Sequence, residues 1–188
     1  IPIRFHYRTT KKKILIMSRA HFPRVIQQRV FTTEECKKII DCQSTPVKSD
    51  GMGINYPIDI VDECSNNDWI TNKVKDTLHK TNKRHYGFKD LKLFRKGIGK
   101  KTYEVGDSYR YHTDDISEIR LTSIIFLNDD FVGGKLRVFA AKEIVINPTI
   151  GLMVSFPSWY FHQADVIESG ERKVLVILAE GPKFEFFE

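Results

Sequence analysis

The sequence predicts an α+β fold, with two helices followed by an antiparallel all-β body, a sandwich or a barrel. Three observations predict it. Two stretches before residue 90 space their apolar residues at helical intervals. After residue 91, short runs rich in β-branched and aromatic residues alternate with Gly, Asn, Asp and Pro. No long helical pattern interrupts those runs.

Taken in order, Ile14-Leu15-Ile16-Met17 reads as a short strand. Thr33, followed by Glu34 and Glu35 and then Ile39 and Ile40, reads as a capped helix start. Residues 44–66 are rich in Ser, Pro, Gly and Asp and predict a long loop with a strand around 54–60. A loop of that length in a compact domain is usually functional or mobile. Its Gly51-Met52-Gly53-Ile54-Asn55-Tyr56 stretch is read as a lid or substrate-facing segment, with an ordinary surface loop as the alternative. A second helix is expected from Asn67, with Trp69, Ile70, Val74, Thr77 and Leu78 on one face, ending by Gly87. The strands then fall at 91–94, 101–105, 109–112, 121–127, 135–140, 143–146, 151–156, 163–168, 174–180 and 184–187. Val132-Gly133-Gly134-Lys135, between two of them, is a turn signal whose glycines can take positive φ. With no repeat or linker, residues 1–188 are expected to form a single domain, helical and loop support over 1–90 and a β core over 91–188.

Composition narrows the function classes. Of 188 residues 41% are hydrophobic and 29% charged, enough apolar material for a core and too much for a disordered chain. No apolar run approaches the roughly 20 residues of a membrane span, and no membrane partner is expected. The start, Ile1-Pro2-Ile3-Arg4, lacks the pattern of a secretory leader. The net charge of +6 is diluted, since Lys11-Lys12-Lys13 is the single run of three. That favours a solvated surface over a nucleic-acid patch, and no aromatic ladder with basic flanks supports base stacking. Cys36, Cys42 and Cys64 are odd in number without CxxC spacing, which predicts a reducing, intracellular (cytoplasmic) setting.

Chemistry concentrates in three places. In Tyr111-His112-Thr113-Asp114, at the end of a predicted strand, the i and i+2 side chains project to the same face, so an imidazole and a carboxylate can meet one metal ion. His162 follows Phe156-Pro157-Ser158-Trp159-Tyr160-Phe161, and Arg172 follows Ser169-Gly170-Glu171. Alone, each has an ordinary reading: a surface His–Asp pair, a packed core imidazole, a turn arginine. Together, one carboxylate and two imidazoles make a facial triad that leaves coordination positions open, the arrangement of non-haem Fe(II) oxygenases. A guanidinium at Arg172 can reach the same cavity and hold a carboxylate bidentately.

The series Tyr103-Glu104-Val105-Gly106, Tyr109 to Asp114, Leu121 to Asn128, Phe131 to Leu136, Gly151, Phe156-Pro157-Ser158, His162 and Gly170-Glu171-Arg172 resembles the Fe(II)/2-oxoglutarate-dependent dioxygenases, in their prolyl 4-hydroxylase-like (PKHD-type) branch. The resemblance runs over residues 67 to 181. It implies a double-stranded β-helix (jelly-roll) core with supporting N-terminal helices. It implies that His112, Asp114 and His162 bind Fe(II) and that Arg172 pairs with the distal carboxylate of 2-oxoglutarate. Tyr103 would hold the same co-substrate through its hydroxyl, while Leu136 and Ile124 line its pocket. Phe126 stands where the family often has a tyrosine. The implied activity is hydroxylation of a C–H bond with O2, releasing succinate and CO2, with ascorbate as reductant. A prolyl or other side chain of a peptide or protein is the first expected substrate. A free amino acid, small metabolite or nucleic-acid base is the alternative. A non-enzymatic binding module built around a structural metal is disfavoured, because such sites usually close four ligands, several of them cysteine.

Overall fold

The computed structural model describes residues 24–42, 47–48, 54–56, 68–114 and 118–182. The expected strands at 14–17 and 184–187 and most of the 44–66 loop lie outside them. Strand β1 (Ile26–Arg29) leads into helix α1 (Thr33–Asp41), and β2 (Val47–Lys48) and β3 (Ile54–Tyr56) precede helix α2 (Asp68–Thr81). Ten strands follow: β4 (Lys92–Tyr103), β5 (Tyr109–His112), β6 (Ile119–Phe126), β7 (Val132–Gly133), β8 (Leu136–Ala140), β9 (Lys142–Ile146), β10 (Leu152–Pro157), β11 (Phe161–Ala164), β12 (Ile167–Ser169) and β13 (Arg172–Glu180).

Helix α1 begins, and α2 ends, for local reasons. The cap of α1 is Thr32, one residue before the expected Thr33. Its hydroxyl accepts from the Glu35 N–H at 3.2 Å while the Glu35 carboxylate accepts from the Thr32 N–H at 2.8 Å. That reciprocal box satisfies two donors that a helix start would otherwise leave open. Glu35 also takes an ion pair at 2.6 Å from Lys73 on α2, tying the helices together. Helix α2 buries Ile70, Val74 and Leu78 at the i, i+4 spacing read from the sequence. It then widens into one π-helical turn over 82–86. There the Asn82 side chain donates to the Phe88 carbonyl and accepts from the Phe88 N–H, and Gly87 closes the turn with φ at 74°.

The strands form a seven-stranded sheet in the order β1-β10-β6-β13-β4-β3-β2, a four-stranded sheet in the order β5-β11-β8-β9, and the pair β12-β7. All neighbours are antiparallel. This is the jelly-roll core with two helices packed on it. Strand β6 is buried at every position because both its faces are covered. Ile125 packs with Ile70, Val74, Leu175 and Ile177 on the helix side, while Ile124 and Phe126 pack with Leu136, Val138 and Val154 between the sheets. The alternation along one strand thus separates two apolar clusters. Among the described residues no helix is long and apolar enough to cross a membrane.

Two expected boundaries were different. The runs at 91–94 and 101–105 are one twelve-residue strand, β4, which continues through Gly99 because antiparallel pairing with β13 supports it (Gly99 opposite Val176). The run at 163–168 is two strands in different sheets: β11 pairs with β5 and β8, and β12 with β7. Strand β1, with its polar Gln27 and Gln28, carried no apolar signal because it lies at the edge of the large sheet.

Candidate metal centre and co-substrate pocket

Strands β5 and β11 are neighbours in the small sheet, and His112 sits directly opposite His162. Asp114 follows two residues after His112, held by its own N–H donating to the Ser158 carbonyl at 2.9 Å. The His112 Nε2 lies 3.5 Å from one carboxylate oxygen of Asp114, and the His162 Nε2 lies 3.4 Å from the other. One candidate ligand atom from each of the three lies within 4.8 Å of the other two. A single ion can therefore touch all three.

Each ring is oriented by its far nitrogen. The Nδ1 of His112 is 2.8 Å from the Arg110 carbonyl, and that of His162 is 3.1 Å from the Tyr160 carbonyl. A carbonyl only accepts, so each Nδ1 carries the proton and each Nε2 turns its lone pair to the shared centre. Thr122 donates to Asp114 at 2.7 Å. Burial pushes the Asp114 carboxyl up, but its contacts with His112 and His162 and the hydrogen bond from the Thr122 hydroxyl outweigh it and hold it below its ordinary value. Burial lowers His162, and Asp114 only partly opposes this, so the imidazole is neutral at physiological pH. An ionised Asp114 carboxylate beside a neutral His162 imidazole suits a divalent cation.

Arg172 opens β13 and is 1% exposed. Its guanidinium carbon lies 4.5 Å from the centre of the Tyr103 ring and 5.7 Å from that of Phe126. One Nη donates to the Gly134 carbonyl at 3.2 Å, and its Nε has no acceptor. Gly134 holds φ at 57°, and a Cβ there would come within 2.4 Å of Ile167 and 3.2 Å of the Arg172 side chain, so glycine is required beneath the arginine. Among the described residues no carboxylate pairs with Arg172. A wholly buried cation whose Nε lacks an acceptor and which pairs with no described carboxylate fits an anion that arrives from outside, as a dicarboxylate co-substrate would. Tyr103, Ile124 and Leu136 are buried in the same cluster, and the Tyr103 phenol feels both the Arg172 cation and the Asp114 carboxylate.

Residues 99–178 match the family model of the 2OG-Fe(II) oxygenase superfamily. The match spans the triad and the buried arginine. Over those residues the chain carries a 2OG-Fe(II) oxygenase domain. Its resident groups are accordingly Fe(II), 2-oxoglutarate and O2, and the donors described above suit them. No curated protein matches the oxygenase in sequence. Among solved structures it is similar to a prolyl-4-hydroxylase from Pseudomonas putida, at 20% identity and a TM-score of 0.62, covering 85% of this chain and 93% of that one. It is similar to the collagen prolyl hydroxylase of Paramecium bursaria Chlorella virus-1, at 14% identity and a TM-score of 0.63, covering 86% and 97%. It is also similar to a Trichoplax adhaerens prolyl hydroxylase in complex with a hypoxia-inducible-factor peptide fragment, at 13% identity and a TM-score of 0.64, covering 88% and 86%. At these identities the likeness is one of fold.

All seven site residues named from the sequence lie in the oxygenase's inter-sheet region. Two neighbours were missed. Thr122, which bonds Asp114, shares the inward face of β6 with Ile124 by simple alternation, so its role was legible once Ile124 had been singled out. Lys101, two residues before Tyr103, gave no signal, because a lysine in a strand reads by default as facing solvent.

Proposed function

We propose that this oxygenase hydroxylates a C–H bond of a prolyl residue, or another side chain, within a peptide or protein. In this reading His112, Asp114 and His162 hold Fe(II), and Arg172 receives the distal carboxylate of 2-oxoglutarate. The Tyr103 hydroxyl steadies that co-substrate, and Ile124 and Leu136 form the apolar walls that exclude water from it. Bound iron with 2-oxoglutarate and O2 supplies the oxidation, one oxygen atom entering the C–H bond and the other entering succinate as CO2 leaves. The protein's part is geometric and electrostatic. The carboxylate of Asp114 cancels part of the metal's charge, the two Nδ1–H contacts fix the imidazole rings, and Thr122 keeps the Asp114 carboxylate from rotating. Burial of Arg172 makes its attraction for an incoming carboxylate much stronger than in water.

The observation that carries the reading is the convergence of two imidazoles and a carboxylate near a buried guanidinium whose Nε has no acceptor. The peptide direction draws support from proteins of like fold, of which one is a collagen prolyl hydroxylase and another was solved with a peptide bound. Succinate release from 2-oxoglutarate with Fe(II), O2 and ascorbate, with and without proline-containing peptides, tests it. Peptide-stimulated turnover with a gain of one oxygen atom in the peptide is expected. Turnover that no peptide stimulates would remove the peptide substrate and leave the oxygenase.

A further inference from the structure

Two consecutive lysines on β4 face opposite sides of the large sheet. Lys100 reaches the helix side, where its ammonium donates to the carbonyls of Ile40 at 3.1 Å and Cys42 at 2.6 Å. Lys101 shares the face of Tyr103, pairs across the sheet with Val174 and points into the site. Its Nζ stands 5.1 Å from the centre of the Tyr109 ring, and that ring packs against His112 with centres 4.1 Å apart. Among the described residues no carboxylate forms an ion pair with Lys101. Burial pulls its ammonium below the ordinary lysine value, Asp114 opposes the shift and Arg172 adds to it. A half-buried cation whose contact is an aromatic face costs stability unless something else meets it.

The position tells which anion that is. Arg172 is wholly buried, the deep end of the pocket, and suits the distal end of the small diacid. Lys101 stands instead by the half-buried Tyr109, which begins β5 beside the exposed Arg110 and packs on His112. It therefore flanks His112, the more exposed of the two imidazoles (side chain 28% exposed against 5% for His162), on the open side of the iron ligands where a larger molecule can reach them. We propose that Lys101 is a specificity-determining residue that receives a carboxylate of the primary substrate, so that the preferred substrate carries an acidic group next to the carbon that is hydroxylated. This rests on the reading of the site given above and deepens it. The carboxylate has two possible sources: an acidic side chain adjoining the modified residue in a peptide, or the α-carboxylate of a free amino acid.

The test compares peptides in which proline adjoins Glu or Asp with the same peptides carrying Gln or Asn. Free amino acids are compared with their amides, and the readout is the ratio of kcat/KM within each pair. Because the ratio is taken within one enzyme preparation, partial loss of folded protein cannot mimic it. The wild type is expected to favour the acid roughly tenfold to a hundredfold, the weight of one charge-assisted hydrogen bond. Lys101→Met should bring the ratio near one, Lys101→Arg should keep most of it, and Lys101→Glu should invert it. A wild-type ratio of one overturns the proposal, even when the neutral peptide is hydroxylated and the peptide reading stands. A Lys101→Met variant that keeps the ratio and only requires more 2-oxoglutarate also overturns it, since the lysine would then serve the co-substrate. Lysine-dependent preference among free acids, with no peptide accepted, supports the proposal and removes the peptide reading. Turnover of 2-oxoglutarate that neither source stimulates sinks both.

Discussion

The two faces of the seven-stranded sheet are made by the same strands and are chemically unlike. On the helix side β13 presents Leu175, Ile177 and Ala179 to an apolar cluster with Ile70, Val74 and Leu78. On the other side the same strand presents Arg172 and Val174. Lysines 100 and 101 make the contrast within one dipeptide. The first is met by two carbonyls at the end of α1, which also suits the negative pole of that helix, whereas the second meets an aromatic ring. Among the described residues, the buried polar side chains on the helix side are satisfied by the protein itself. Those between the sheets include an arginine Nε and a lysine ammonium that the described residues leave unmatched. Selection for stability alone would remove such groups, so their presence marks the face that binds something.

The largest expected effect breaks that face at its centre. Asp114→Ala removes the one anionic ligand of the triad and should abolish retention of ferrous iron. Replacing even a supporting residue of a metal site commonly costs about 10- to 100-fold in affinity, so loss of a ligand should exceed that. Metal content of the purified variant and succinate release check it, and iron equal to wild type would contradict the proposed triad. Arg172→Met comes next and separates binding from folding. It should raise the 2-oxoglutarate concentration for half-maximal turnover on the order of 100-fold. It should also leave the ligand-free protein as stable as wild type or about 1–4 kcal/mol more so, because a buried, incompletely paired cation has been replaced by an apolar chain of similar length. A fall in the urea midpoint of the ligand-free protein would show that Arg172 supports the fold rather than the co-substrate.

How much of this was written in the sequence follows the same division. The triad was legible because strand alternation puts His112 and Asp114 on one face, and because His162 and Arg172 occur in the order the motif requires. The helix side was legible from the Ile70, Val74, Leu78 spacing. What failed was punctuation. Glycines around 97 and 99 suggested a break that long antiparallel pairing overrides. The run 163–168 looked continuous because a change of sheet between Ala164 and Ile167 leaves no mark in composition. The cap moved from Thr33 to Thr32 because two threonines stand in sequence and only the first has a glutamate three residues on. Lys101 was hidden for a deeper reason: nothing in a single sequence says which of two adjacent lysines faces a helix end and which a cavity.

A third prediction sharpens the lysine comparison through stability. Lys100→Met should destabilise the protein by about 1–3 kcal/mol, since the carbonyls of Ile40 and Cys42 lose a charged donor at a position only 6% exposed. Lys101→Met should not show that loss, because the ammonium it removes has no such partners. Urea midpoints of the two variants, measured side by side without ligands, decide it. Equal losses would erase the distinction drawn between the faces.

The smallest expected effect lies on the helix side, at the start of α1. Burial pushes the Glu35 carboxyl up from its ordinary 4.5, but the Lys73 ammonium and the Thr32 N–H outweigh it, and the folded-state value lies below the unfolded one. A depressed carboxylate contributes stability that is fully present above its unfolded pKa and is lost as pH falls through the folded value. Glu35→Gln should therefore cost a few tenths of a kcal/mol, up to about 1, at neutral pH, the range for a partly exposed ion pair. The wild-type advantage should shrink once the pH drops below 4.5 and vanish in stronger acid, where both side chains are neutral. Thermal melts of the pair between neutral pH and strong acid measure the gap. A gap that widens toward acid would mean that the carboxylate is held in its protonated form in the folded protein, and the helix-side satisfaction argued for here would not extend to its own cap.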